Sequence, residues 1–168
     1  MLQDVFMFSG TIRDNITLHD ERISDEDIKN ASNYVGLDYV LKKLPEGLNH
    51  VVKERGNNFS SGERQLISFA RAVVYQPSLM ILDEATANID SETETIIQDS
   101  LNRMMNISTM IIVAHRLSTI QHSDRIYVMQ KGEIKESGNH QELLMKKGLY
   151  YNLYLLQYEP KDKAVPVV

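Results

Sequence analysis

The stretch LMILDEATANIDSETETIIQDSLNRMMNISTMIIVAH, residues 79–115, decides the fold class. It opens with a short apolar run, Leu79 to Leu82, closed by two acids, Asp83 and Glu84. A second apolar run, Met110 to Ala114, is closed by His115. Between the two, Ser91 and Glu94 have capping-box spacing, and Ile97, Leu101 and Met104 recur at the helical period on one face. Buried strand, helix, buried strand is the pattern of a parallel sheet with a crossover helix, so the chain reads as α/β.

Upstream, the pattern is helical. Ser24 caps a helix with Asp27 three residues on; Ile28, Ala31 and Val35 share its buried face, and Gly36 ends it. A short second helix fits Leu37 to Lys43, before Pro45. Gly47 to Asn58 carries turn residues and little periodicity. A stronger helix starts at Ser60, where Ser60 and Glu63 again have capping-box spacing; Leu66, Phe69, Ala70 and Val73 form its stripe until Pro77. Downstream, Ile126 to Met129 and Glu133 to Ser137 read as a hairpin about Lys131-Gly132. Two helices follow, one capped by Asn139 and one centred on Leu149 to Leu156, and Glu159 to Val168 reads as a frayed tail.

Bulk properties exclude several classes. With 42% hydrophobic residues the 168-residue chain can build one core. It has no cysteine, which rules out disulfides and thiolate zinc sites. The net charge is −5 with mixed signs along the chain, so the basic footprint of a nucleic-acid binder is missing. No apolar run approaches the roughly 20 residues of a membrane span. MLQDVFMFSG has no basic region leading an apolar one, so it does not read as a secretory signal, and no part of the chain is expected to enter a bilayer.

Three places carry chemistry. Asp83 and Glu84, at the carboxyl end of a strand, lie where open α/β sheets bind ligands. An aspartate there can hold Mg²⁺, partly through water, and a neighbouring glutamate can accept a proton from an attacking water. Taken alone, two acids opening a surface turn is the commoner reading. His115 closes the neighbouring strand, where an imidazole can donate to a terminal phosphate; a lone histidine is more often structural. The third is FSSGERQ, residues 59–65, where a helix N-terminus, hydroxyls and a glycine can receive an anion, or where the helix is simply well capped.

In order and spacing, FSSGERQ, LMILDEATANID and IIVAHRLSTI together resemble the ATP-binding-cassette family. FSSGERQ resembles the signature motif LSGGQ, with Ser60, Ser61, Gly62 and Glu63 in its nucleotide-facing positions. LMILDE resembles Walker B with its following glutamate, and ANID, ending at Asp90, the D-loop. His115 matches the switch histidine, and Gln3 in LQDVFMFSGTIRDNI the Q-loop glutamine. DVFMFSGTIRDNI and Glu54-Arg55-Gly56 resemble the multidrug and lipid exporter branch, where the latter loop touches the transmembrane coupling helices. The resemblance runs from Met1 to about Gln157.

The resemblance implies a partial P-loop NTPase: a RecA-like parallel sheet with the α-helical subdomain of this family, lacking the Walker A strand and the N-terminal β-subdomain. Residues 1–10 would be the Q-loop segment, 11–77 the helical subdomain ending in the signature helix, 78–158 the C-terminal part of the ATPase core and 159–168 a tail. It implies ATP and Mg²⁺ as cofactors, Glu84 and His115 as catalytic residues, Asp83 and Gln3 at the metal, and Ser60, Ser61, Gly62, Glu63 and Asp90 at the nucleotide. It also implies a location at the cytoplasmic face of a membrane, with transmembrane domains and a second nucleotide-binding domain as partners.

None of the eight glycines is followed by lysine and no two have the phosphate-loop spacing, so the G-x-x-x-x-G-K-[ST] cradle is not in this sequence. The family's phosphate-loop strand is expected inside the sheet, between the Walker B and switch strands. Its loss predicts unpaired edges, exposed apolar surface and poor stability of the chain alone. Two copies together would hold no complete nucleotide site. Ser61 in place of the first signature glycine and Glu63 in place of glutamine match variants of heterodimeric exporters and weaken that half-site. The leading reading is the ATP-hydrolysing subunit of an exporter, truncated and inactive alone. The alternative is a non-catalytic module that lends its signature helix to a Walker A-bearing partner. An ATPase acting on DNA or ribosomes is disfavoured by the acidic balance, and a product with no function stays open.

Overall fold

The computed structural model describes residues 5–83, 91–114 and 116–158, with side chains at all but 91 and 92. Gln3, Glu84, Asp90 and His115 therefore lie outside the described residues, as does the expected tail, 159–168. The chain divides into two compact units, one ending at Val113 and one beginning at Ala114.

The first unit is built on helices that carry their own start signals. A two-residue strand β1 (Gly10–Thr11) runs into α1 (Ile12–Thr17), where Thr11 and Asp14 close a capping box. α2 (Asp25–Tyr34) is capped by Ser24 with Asp27 in the same reciprocal arrangement. It stops where Gly36 takes a φ of +70°, and a Cβ there would lie 2.8 Å from Ile96 Cγ2. The expected short helix appears as α3 (Asp38–Leu41), trimmed at both ends. Gly47 to Asn58 is not featureless: two 3₁₀ turns flank β2 (Val51–Val52), which pairs antiparallel with β1.

α4 (Ser61–Val74) is the central element of this unit. At about 1.5 Å per residue it is roughly 21 Å long. Leu66, Ile67 and Ala70 are fully buried among Ile12, Ile16, Ile28, Val35 and Ile97. Burying each large aliphatic side chain contributes about 1.5–3 kcal/mol, so this contact holds α1, α2 and α5 together. α5 (Ser91–Met104) buries Ile97, Leu101 and Met104, as its spacing predicts, but takes Ser91 as its first residue instead of leaving it outside as the cap. The Ser100 hydroxyl donates to the Val35 carbonyl at 2.6 Å, and the Tyr34 hydroxyl to the Arg103 carbonyl at 2.7 Å, which fixes α5 against the end of α2.

β3 (Leu79–Asp83) and β4 (Thr109–Val113) pair in parallel, in register from Leu79 opposite Thr109 to Asp83 opposite Val113. Two expectations fail here. No strand stands between them: hydrogen-bonded neighbours lie about 4.8 Å apart, which leaves no room for one. Nor are both faces covered. Met80 is buried, and Leu82 and Met110 pack on the same core, whereas Ile81 is 70% exposed and Leu79, Ile111 and Val113 are about half exposed. Among the described residues the apolar runs thus bury alternate positions only, and the remaining positions form an exposed apolar face.

The second unit contains α6 (Leu117–Ile120), β5 (Ile126–Gln130), β6 (Glu133–Gly138), α7 (His140–Lys146) and α8 (Leu149–Tyr158). β5 and β6 form the expected antiparallel hairpin. Lys131 and Gly132 have φ of 52° and 79°, both positive, as the tightest two-residue turn requires. Asn139 caps α7 reciprocally with Glu142. Glu136 of β6 caps α8: its two carboxylate oxygens accept from Leu149 N at 2.7 Å and Tyr150 N at 3.0 Å. Leu117, Ile126, Val128, Leu143 and Tyr150 are the core, and His140 Nδ1 meets the Tyr150 hydroxyl at 2.7 Å.

Candidate functional site

FSSGERQ folds into the first turn of α4. Ser60 is extended, with φ −65° and ψ 164°, and its Oγ accepts from Glu63 N at 3.2 Å. Glu63 Oε2 accepts from Ser60 N at 2.8 Å in return. Of the turn's residues Ser60 is exposed, Ser61 and Glu63 are partly exposed and Gly62 is buried. The carboxylate of Glu63 is thus turned back on the helix start, where it favours the positive end of the helix dipole.

The turn is braced from behind. Phe59, 6% exposed, anchors its entry and meets the His50 ring edge-on at 5.8 Å. Arg64 Nη1 donates to the Phe59 carbonyl at 2.7 Å. The loop before it is tied by Asn58, whose amide donates to the Val51 carbonyl at 3.0 Å and accepts from Lys53 N at 2.9 Å. In the Glu54-Arg55-Gly56 turn the two charged residues are exposed and Gly56 is buried. Gly56 has a φ of +66°; a Cβ there would lie 2.9 Å from Met7 Cγ and 3.0 Å from Arg64 Cδ. The segment after Gln3 and the start of α4 are therefore wedged against one glycine.

The other end of α4 grips the same segment. Arg71 donates through Nε to the Asn15 carbonyl at 2.6 Å, through Nη1 to the Phe6 carbonyl at 3.2 Å, and through Nη2 to Asn15 Oδ1 at 3.2 Å. Burial pushes its guanidinium below the ordinary value. Asn15, fully buried, clamps Phe8 on both sides: Phe8 N donates to Oδ1 at 2.9 Å and Nδ2 donates to Phe8 O at 2.8 Å. A cleft of about 370 Å³ lies beyond, lined by Tyr34, Val73, Gln76, Met80 and Ser108, at the end of α4 away from Ser60.

Of the residues singled out from the sequence, Ser60, Ser61, Gly62 and Glu63 are brought together in one turn. Asp83 is exposed at the carboxyl end of β3, opposite Val113, so its oxygens can reach a ligand there. Gln3, Glu84, Asp90 and His115 lie outside the described residues. The bracing residues Met7, Asn15, Arg64 and Arg71 were not read from the sequence. An arginine between Ala70 and Ala72 on an otherwise apolar stretch of helix was the one local sign.

Comparison with known proteins places the chain in a family. Residues 1–87 match the family model for the ABC transporter. The chain is 55% identical over 157 residues to a probable multidrug resistance ABC transporter ATP-binding/permease protein of Bacillus subtilis, covering 94% of this chain and 23% of that one. It is 42% identical over 162 residues to an ATP-dependent lipid A-core flippase of Syntrophus aciditrophicus, covering 96% and 27%. A solved bacterial Atm1-family ABC exporter with ATP bound superposes with a TM-score of 0.83 at 34% identity, over 96% of this chain and 28% of that one. The chain thus spans about a quarter of the length of the relatives it matches. It belongs to the ABC transporter family, in the nucleotide-binding domain of the multidrug and lipid exporter type.

Proposed function

We propose that these residues form the signature, Walker B and switch portion of an ATP-binding and ATP-hydrolysing subunit that energises an exporter. The observation that carries the reading is the Ser60–Glu63 turn: an exposed serine cap at the N-terminus of a 14-residue helix, the positive end of the helix dipole, which favours an anion. Ser60, Ser61 and Gly62 receive the phosphates of a nucleotide cradled on a phosphate loop supplied from outside these 168 residues, and Asp90 contacts the same nucleotide. Glu84 takes a proton from the attacking water, His115 donates to the γ-phosphate, and Gln3 responds to the metal or the water. Asp83 fits a magnesium site, because its exposed carboxylate is a hard oxygen donor at the strand end. Mg²⁺ held there would neutralise charge on the phosphates.

In the same reading, residues 1–10 serve as Q-loop segment, 11–77 as helical subdomain and 78–158 as part of the ATPase core. The partners are transmembrane domains at the cytoplasmic face of a membrane and a second, different nucleotide-binding domain. The chain alone does not turn over ATP. Supporting this are the family match and the relatives' ATP-binding names. No helix among the described residues is long and apolar enough to cross a membrane. The test is to join the chain behind the phosphate-loop segment of a homologous exporter and assay ATP hydrolysis. Turnover that disappears in Glu84→Gln is expected; equal turnover with and without the carboxylate would sink the assignment.

A further inference from the structure

The Phe6–Phe8 segment has two ties to the signature helix, one at each end of α4. Near the signature turn, Met7 presses on Gly56, which is packed against Arg64. At the far end the tie is polar, and one side chain makes it. The Arg71 fork reaches the Phe6 carbonyl and both oxygens of Asn15, while Asn15 clamps Phe8. Met7 Sδ, 3.8 Å from Nη2, completes the surroundings of the guanidinium. Among the described residues its partners are uncharged backbone and amide oxygens, this thioether and the Phe8 ring, whose centroid lies 5.8 Å from Cζ, not a carboxylate. On the outer side of the segment, Phe6 is 60% and Phe8 48% exposed, with their rings edge-to-face at 4.8 Å. Phe8 also offers its ring to the guanidinium, so the Phe6 ring, the more exposed of the two, is the open outer end of a segment that the arginine grips.

We propose that Arg71 is a positioning residue that makes the Phe6–Phe8 segment and α4 move as one body, so that displacement of the exposed rings is delivered to the Ser60–Glu63 turn. α4 suits this role, since a packed helix transmits a shift at one end without flexing. Lysine cannot substitute: a single ammonium on a flexible stem does not span acceptors on two segments as a planar fork does. That the delivered motion adjusts a nucleotide half-site rests on the function proposed above; the mechanical link does not.

The experiment reads the link without nucleotide. Amide chemical shifts of Ser61, Gly62 and Glu63 are recorded for the 168-residue chain and for Phe6→Ala, then for the same pair in Arg71→Lys and Arg71→Gln backgrounds. Truncating the exposed ring is expected to shift the signature-turn amides with Arg71 present and to leave them unmoved in both backgrounds. Should Arg71→Gln fail to fold, Arg71→Lys, which keeps the charge, decides alone. Undiminished shifts in the Lys background would overturn the proposal and assign transmission to the Met7–Gly56–Arg64 contact. No shift with Arg71 present would overturn it as well. Failure of the nucleotide reading is seen separately, by calorimetry with Mg-ATP, and leaves this outcome intact.

Discussion

Ser60 and Glu63 satisfy each other's backbone: each side chain accepts from the other's amide, at 3.2 Å and 2.8 Å. Glu63 thereby acts first as a cap, although its position is the one where the signature motif usually carries glutamine. Glutamine keeps the capping geometry and removes the charge. Glu63→Gln is therefore expected to change stability by less than about 0.5 kcal/mol, whereas Ser60→Ala costs about 1 kcal/mol. Urea unfolding of both variants checks this; a larger loss in Glu63→Gln would show that the charge, not the bond, holds the turn.

Gly56 admits no side chain. Its φ of +66° and the hypothetical Cβ at 2.9 Å from Met7 and 3.0 Å from Arg64 combine backbone strain with overlap. Gly56→Ala is expected to lose about 1–3 kcal/mol. The same denaturation series measures it, and an unchanged midpoint would mean that the wedge is slack.

In the second unit, Glu136 holds the start of α8. Glu136→Ala removes acceptors for Leu149 N and Tyr150 N and is expected to cost about 1–2 kcal/mol, seen as faster amide exchange over residues 149–158. Gly148→Ala should mimic it, because a Cβ there would stand 1.9 Å from Glu136 Oε1. Exchange in α8 that ignores both changes would contradict the capping role.

Acid sensitivity has a defined window. Asp20 is held down to about 2 from 3.8 by hydrogen bonds from the Arg22 side chain and backbone. Hydrogen bonds from the Thr11 backbone and side chain lower Asp14, and those from the Ser24 side chain and backbone lower Asp27. A depressed folded-state pKa contributes stability that is complete above the unfolded value and lost as pH falls through the folded one. Melting temperature should therefore fall between about pH 4 and about pH 2, and less steeply in Asp20→Asn. Parallel curves for the two proteins would remove Asp20 from the account.

The exposed face of β3 and β4 is expected to govern solubility. Ile81, 70% exposed, is expected to tolerate serine within about 0.5 kcal/mol, whereas Met80→Ser on the buried face should cost about 2–4 kcal/mol. Sedimentation of the chain alone should show self-association that Ile81→Ser reduces. A monomer that melts cooperatively at high concentration would contradict it.

What the sequence disclosed and what it hid follow from range. Ser24, Ser60 and Asn139 each bond to a residue three positions on, and Lys131-Gly132 makes a turn within four residues, so these signals are local and legible. The pairing of Gly10–Thr11 with Val51–Val52 is two residues long and about forty apart, with no period to reveal it. The order of strands in the sheet is likewise non-local, which is why a third strand could be placed wrongly between β3 and β4. The site motifs were legible as a resemblance. Arg71 was not, because its acceptors are mainly backbone oxygens of a distant segment, and any residue there offers the same carbonyl.

The central claim is that these residues present a signature turn to a nucleotide held elsewhere. Titrating the purified 168-residue chain with Mg-ATP in a calorimeter tests it most directly. No detectable heat of binding is expected. Binding at micromolar strength, roughly −8 kcal/mol, would show a nucleotide cradle within these residues and contradict it.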